Sequence, residues 1–106
     1  MASINASVME IIGKFLASLR EEGIRVDSAY LYGSYVNGTE TEWSDIDVAI
    51  ISPDISHDSF EERIRFMKLS SRIDKRIEPM PFAWDAFVDE NPIVWEIKRK
   101  GISIQR

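Results

Sequence analysis

One segment, residues 45–51 with the sequence DIDVAII, leaves few structures open to this chain. It is mostly apolar and Pro53 closes it, which predicts a strand. Side chains alternate across a strand, so Asp45 and Asp47 project from one face while Ile46 packs on the other. The segment therefore predicts a strand that opens with two carboxylates side by side.

The other predicted elements alternate between helices and strands. They are a helix with apolar residues at every third or fourth position from Ile4 to Leu19, a first strand over 26–32, a helix from Ser59 to Ile73, a third strand over 76–82, a helix from Pro92 to Lys100, capped by Asn91, and a last strand over 102–105. Residues 33–44 hold at most a short helix and a loop. This order predicts an α/β or α+β fold, in which helices flank one sheet of three to four strands.

The connections predict how the strands run. The loop after the first strand folds back, so the first two strands are expected to be antiparallel. Helix 59–73 is a crossover that makes the second and third strands parallel, which gives a mixed sheet. Pro79 and Pro81 suit an edge position for the third strand better than a central one.

Composition and charge narrow the function classes. The chain has 106 residues, with 13 Lys plus Arg against 18 Asp plus Glu, a formal charge of −5 and no cysteine. We expect one domain, residues 1–106, without disulfides, a thiolate metal site or a cysteine nucleophile. The acidic balance argues against strong nucleic-acid binding. No apolar run approaches the roughly 20 residues of a membrane span, and no secretion signal is apparent, so a cytoplasmic protein without membrane association is expected.

Three features of the predicted sheet meet at one edge. They are Gly33 and Ser34 at the end of the first strand, Asp45 and Asp47 at the start of the second, and Glu78 in the third. Adjacent carboxylates raise each other's pKa, and a divalent cation such as Mg²⁺, which prefers carboxylate and phosphate oxygens, relieves the conflict. Gly33 lets a phosphate approach the backbone, and Ser34 with the amides of a short helix can bind the anion.

The spacing of these residues resembles a known signature. Gly33 and Ser34, then ten residues, then DID at 45–47 are similar to the GS-x10-D-x-D pattern of the polymerase beta type nucleotidyltransferase superfamily, and Glu78 stands where that family has its third carboxylate. Asn37 departs from the pattern, because the family often has a basic residue there. The resemblance covers most of the chain and implies the nucleotidyltransferase fold. It also implies transfer of a nucleoside monophosphate from a nucleoside triphosphate to an acceptor hydroxyl.

The resemblance implies roles for the individual residues. Asp45 and Asp47 would hold two Mg²⁺ ions, and Glu78 would complete the site of the ion that activates the acceptor and is a candidate to take its proton. Gly33 and Ser34 would position the β and γ phosphates of ATP. Stand-alone minimal nucleotidyltransferase domains resemble the antitoxin of modules whose partner is a HEPN ribonuclease toxin, neutralised by binding, by adenylylation of a tyrosine, or by both. We therefore expect a Mg²⁺-dependent protein adenylyltransferase that acts as an antitoxin.

Simpler explanations stay open for several site residues. Asp45 and Asp47 could be a turn residue and a paired edge carboxylate, and Glu78 could form a surface ion pair of little energetic effect. Ser34 as a hydrolase nucleophile would need a base. The one histidine, His57, lies in a loop where we expect it to be solvated.

Aromatic residues also have two explanations each. Trp43 and Tyr35 flank the predicted pocket and could stack on a base or pack against the protein, and packing is favoured. Trp84, Phe87 and Trp95 either close the core or form a partner surface, and the core is favoured.

The basic residues of helix 59–73 are expected on its solvated face: Arg63, Arg65, Lys68 and Arg72. A triphosphate contact from Arg72 or Lys75 is the alternative. Two other functions stay open. One is a module that blocks the toxin sterically with little catalysis, which Asn37 slightly favours and the three intact carboxylates oppose. The other is a catalytic subunit that modifies a small molecule or an RNA with the help of a substrate-binding partner.

Overall fold

A computed structural model describes residues 5–104 of the chain. Its elements, in chain order, are α1 (Ala6–Glu21), β1 (Ser28–Tyr32), α2 (Ser34–Asn37), β2 (Ile46–Ser52), α3 (Ser59–Ser71), β3 (Ile77–Ala83), a 3-10 turn (Trp84–Ala86), α4 (Pro92–Lys100) and β4 (Ile102–Ser103). The predicted helix start at Ile4 and strand end at Gln105 lie outside the described residues. None of the helices within residues 5–104 has the length and apolar character that crossing a membrane requires.

The four strands form one mixed sheet in the order β3-β2-β1-β4. β1 runs antiparallel to both β2 and β4, whereas β2 and β3 are parallel and joined by the α3 crossover. The predicted fold class, the strand directions and the edge position of the third strand are confirmed. The ladder between β2 and β3 continues past Pro79 and Pro81 to Ala83, which an edge strand allows because its outer N–H groups have no ladder to complete.

The position of β2 inside the sheet explains the apolar run in its sequence. Val48–Ser52 is buried without interruption, because the sheet is covered on both faces. On one face, α1 and α3 form the larger core cluster, with the helix residues Val8, Ile12, Phe15, Leu16, Leu19, Phe66 and Leu69. On the other face, a smaller cluster includes Ala49, Ile51, Phe82, Val94 and Ile97.

Side-chain caps define where three helices begin. Asn5 accepts a hydrogen bond from the Ser7 N–H at 2.8 Å, Asp58 from that of Glu61 at 3.1 Å, and Asn91 from that of Ile93 at 3.0 Å. Each cap satisfies a backbone donor that the first turn of a helix leaves unpaired. The predicted cap of the last helix is confirmed. α3 begins at Ser59 as predicted and ends at Ser71, two residues earlier than predicted.

Several large apolar side chains lie at the surface. Trp84 is 64% exposed and Trp95 is 49% exposed, so their expected place in the core is wrong. Phe87 does pack against the smaller cluster, with its ring centroid 5.6 Å from that of Tyr30 and 5.2 Å from that of Phe82. Val94 and Ile97 form the buried side of α4, so Trp95 on the same helix faces solvent. Trp84 lies in the 3-10 turn after β3, none of whose residues is buried.

Candidate functional site

Three carboxylates and a tyrosine share one face of the sheet at the edge where β2 begins. Tyr32 of β1 is the register partner of Asp47, and Asp47 is the register partner of Glu78 in β3. Register partners point to the same face, and Tyr32 packs on the smaller core cluster, which identifies this as the α4 side. Asp45 precedes Asp47 by two residues and interacts with its charge. The structure thus brings the three predicted acids together.

The turn after β1 contacts Asp47 through Gly33. Gly33 has φ 80° and ψ −146°, a region of backbone conformation that glycine adopts and other residues essentially do not. A Cβ atom built on Gly33 would overlap Oδ2 of Asp47 and lie 3.1 Å from its Cγ. The backbone conformation and the lack of room for a Cβ atom therefore both require glycine at this position. The backbone of the turn lies directly against the carboxylate of Asp47.

Ser34 begins α2, a helix of a single turn. The Gly33 carbonyl accepts hydrogen bonds from the N–H groups of Val36 and Asn37, both at 3.0 Å. Gly38 ends the turn with a left-handed φ of 76°. Ser34 is half-buried beside Gly33, whereas Asn37 is exposed. The pair predicted to bind phosphate consequently adjoins the pair predicted to bind metal.

The shared face is strongly acidic. Burial raises the pKa of Asp47 to about 6, and the charges of Asp45 and Glu78 contribute to the shift. Burial also raises the pKa of Tyr32 to about 12, with Asp47 and Glu78 acting in the same direction and Arg63 acting against them. A bound cation would reverse the shift at Asp47, because opposite charge favours the ionised carboxylate.

Arg63 of α3 is a member of the site that sequence reasoning missed. Its Nη2 donates a hydrogen bond to Oε2 of Glu78 at 3.1 Å, although α3 packs on the opposite face of the sheet. Arg63 is exposed, as predicted for this face of the helix, but the prediction did not include its contact with Glu78. No signal in the sequence could have shown this contact, because it depends on how far α3 lies over the edge strand.

Comparison with known proteins identifies the family. A family model described as "Nucleotidyltransferase domain" matches residues 12–100. The chain belongs to the nucleotidyltransferase domain family. This match includes every residue of the candidate site and confirms the resemblance found in the sequence. A search of curated proteins found no match.

Solved structures support the fold of this nucleotidyltransferase domain. A mutant of the toxin–antitoxin complex MntA-HpeT has a chain with a TM-score of 0.62 and 23% identity, over 89% of this chain and 71% of that one. A toxin–antitoxin structure with AMP-PNP gives a TM-score of 0.62 and 24% identity, over 90% and 70% of the two chains. A structure from Sulfolobus solfataricus gives a TM-score of 0.57 and 16% identity, over 92% and 76% of the two chains. At these identities the likeness concerns the fold.

The site of the nucleotidyltransferase domain suits a hard cation in its chemistry. Asp45 and Asp47 supply the carboxylate oxygens that Mg²⁺ prefers. The pKa of Asp47 is raised first by burial and then by the neighbouring charges of Asp45 and Glu78, and a bound cation would offset those charges. In the arrangement that the structure describes for residues 5–104, however, no three acidic or histidine side chains form a group that could hold a metal ion. The Glu78 carboxylate is instead bonded to Arg63.

Other residues that the sequence suggested lie apart from the carboxylates. His57 is in the loop beyond the far end of β2, where its Nε2 is 2.7 Å from Oδ1 of Asp85, so it cannot serve Ser34 as a base. Tyr35 packs on the larger core cluster, as favoured. Trp43 is 84% exposed, so its expected packing is wrong.

The alternative phosphate contact from Arg72 does not fit its position. Arg72 lines a groove with Glu22 and Ile24, which follow α1. Because α1 covers the face of the sheet opposite the carboxylates, the Arg72 side chain lies on the other side from the candidate site. Lys75 is exposed in the turn before β3.

Proposed function

We propose that this nucleotidyltransferase domain transfers AMP from ATP to a hydroxyl group of a partner protein, with Mg²⁺ as its cofactor. The observation that carries the proposal is the meeting of Asp45, Asp47 and Glu78 beside the Gly33 turn. The turn offers backbone to a phosphate, and the acids offer oxygens to a cation. Membership of the family supports nucleotide transfer as the reaction.

Each residue then has a task in the transfer. Asp45 and Asp47 would hold Mg²⁺, which supplies stabilisation of the charge on the attacking and leaving oxygens. Glu78 would join them and accept the acceptor proton, directly or through water. Gly33 and Ser34 would hold the β and γ phosphates, so that pyrophosphate leaves as the acceptor oxygen bonds to the α phosphorus. The protein contributes mainly position and charge.

The partner we propose is a toxin, with this domain as its antitoxin. Two structures of similar fold are toxin–antitoxin complexes, and one of them holds AMP-PNP, an ATP analogue. We further propose that the toxin is of the HEPN class, that a tyrosine is the acceptor, and that the pair acts in the cytoplasm, where ATP and Mg²⁺ are available.

A mass measurement tests this proposal. The purified protein is mixed with the product of the neighbouring gene, ATP and Mg²⁺, and the partner is weighed. We expect a gain of one AMP that is lost with Asp45→Asn plus Asp47→Asn and kept with Asp27→Asn, a change at an exposed residue before β1. Neutralisation of the partner without a mass change would overturn the enzymatic part. Label from ATP on a small molecule or an RNA, and none on protein, would favour a different acceptor.

An apolar face of α3 favours a second candidate function, a module that neutralises its partner by binding alone. Phe60 is 74% exposed, and Ile64 and Met67 are each 41% exposed. They line a groove of about 530 Å³, and exposed apolar surface of this kind is typical of protein contacts. If binding alone neutralises the partner, Ile64→Asp should abolish protection, while the Asp45→Asn plus Asp47→Asn variant should protect fully.

A further inference from the structure

The contact between Arg63 and Glu78 joins two faces of the sheet. α3 lies on the face covered by the larger core cluster, while Glu78 points to the opposite face with Asp47. Because β3 is an edge strand, the long Arg63 side chain can pass beside it and reach the carboxylate. Of the ion pairs found within residues 5–104, this is the one that includes a member of the three-acid cluster.

The Arg63–Glu78 ion pair is partly exposed to solvent. The Arg63 side chain is 48% exposed and that of Glu78 is 35% exposed. Exposed ion pairs contribute little to stability, since water competes for both partners. A divalent cation carries twice the charge of a guanidinium and has a stronger preference for carboxylate oxygens. Glu78 can therefore exchange one positive partner for another without disturbing the fold.

We propose that Arg63 is a positioning residue that acts through Glu78, holding its carboxylate out of the ligand set until a divalent cation binds at Asp45 and Asp47. The inference rests on the proposed function, because it assumes the metal site. It explains why the three acids share a face but form no group that could hold a metal as they stand. Arg63 balances part of the negative charge of the metal-free site, and a cation must displace it to recruit the third carboxylate.

Two consequences distinguish this role from a merely structural one. Removing Arg63 frees the Glu78 carboxylate to join the ligands of a divalent cation, so cations should bind more tightly. The gain should also depend on Glu78, since the carboxylate is what Arg63 withholds. A general effect of charge would instead appear whether Glu78 is present or not, and would also appear when another cation of α3 is removed.

The test measures Mn²⁺ binding to the full chain by calorimetry, without nucleotide. Arg63→Ala should lower the dissociation constant about tenfold, the order expected when one more carboxylate becomes free to join the ligands of a divalent ion. Arg63→Lys should give a smaller gain. Lys68→Ala, which removes a charge from the same helix, should change the constant less than twofold. Thermal unfolding of each variant checks that it is folded.

A second comparison measures the effect of Arg63→Ala in the Glu78→Gln variant. In this background, Arg63→Ala should improve Mn²⁺ binding no more than about twofold, since the withheld ligand is gone. A gain as large as with Glu78 present, or no gain in the wild-type background, would overturn the proposal while leaving the metal site intact. Mn²⁺ binding that is unchanged by Asp47→Asn would instead overturn the metal site of the proposed function, and this role of Arg63 with it.

Discussion

A single methyl group added at Gly33 should lower both the stability of the domain and its activity. Replacing Gly33 with alanine meets two obstacles, a backbone at φ 80° and ψ −146° and the carboxylate of Asp47. Gly38 offers a matched control, because it also has positive φ, 76°, but a Cβ there would meet no heavy atom within 4 Å.

The expected magnitudes follow from these two environments. An alanine in the left-handed region of Gly38 costs about 1 kcal/mol. The conformation of Gly33 is rarer, and strain of this kind costs about 1–3 kcal/mol. The Cβ atom of alanine at position 33 must also displace Asp47, because it would overlap Oδ2 of Asp47 and lie 3.1 Å from its Cγ. We therefore expect Gly33→Ala to lose about 3 kcal/mol of unfolding free energy. Since each kcal/mol corresponds to roughly 5 °C for a domain of this size, the melting temperature should fall by about 15 °C in Gly33→Ala and about 5 °C in Gly38→Ala.

Two assays measure the stability and the activity of the two variants. Urea unfolding gives the loss of stability, and AMP transfer at a temperature where both variants are folded gives the effect on the site. Gly33→Ala should lose transfer by at least tenfold because Asp47 is displaced, while Gly38→Ala should retain it within about twofold. Equal stability of the two variants, together with normal transfer by Gly33→Ala, would refute the argument.

Three further predictions concern charge and packing. Asp47→Asn should raise the unfolding free energy at pH 7.5 without divalent cations by about 1 kcal/mol. The full pKa shift of Asp47 corresponds to about 3 kcal/mol, and this value is reduced because the side chain is partly exposed to solvent. Because the folded pKa of Asp47 is raised from 3.8 to about 6, the penalty is complete above pH 6, and urea titrations should show the gain vanish as the pH falls towards 3.8. Arg25 lowers the pKa of Asp54 to about 2, so Asp54→Asn should destabilise the protein at pH 7, with the difference lost as the pH falls from 4 towards 2. Phe15→Ala, at a fully buried position, should cost about 3–5 kcal/mol in the same unfolding experiments.

Much of the fold could be predicted because local patterns and connection lengths agree. Asp45 and Asp47 were placed on one face by the alternation of strand side chains, and the crossover through α3 made the Glu78 strand parallel to theirs. Glu78 then became the direct partner of Asp47 in the ladder, a register that the sequence alone could only approximate. The family signature added the distance from Gly33 to these acids, which the close approach of Gly33 to Asp47 explains physically.

What could not be predicted depends on packing between elements. Arg63 lies among other basic residues of α3, and only the packing of this helix against β3 decides that it reaches Glu78. Trp84 and Trp95 are large and apolar like core residues, yet Trp84 lies in a turn that buries none of its residues, and Trp95 faces solvent while Val94 and Ile97 of the same helix are buried. The position of Tyr32 beside Asp47 follows from strand register, which no single segment of sequence encodes.

The two prolines of β3 have a consequence for how this domain can meet other proteins. Successive N–H groups of a strand point to opposite edges, and Pro79 and Pro81 are two residues apart, so both remove donors from the same edge. Since the ladder with β2 continues past them, that edge is the free one. An incoming strand would find neighbouring donors missing and could not extend the sheet there. Strand addition at this end of the sheet, whether by a partner or by aggregation, is thereby blocked, and a protein that binds here has to do so through side chains.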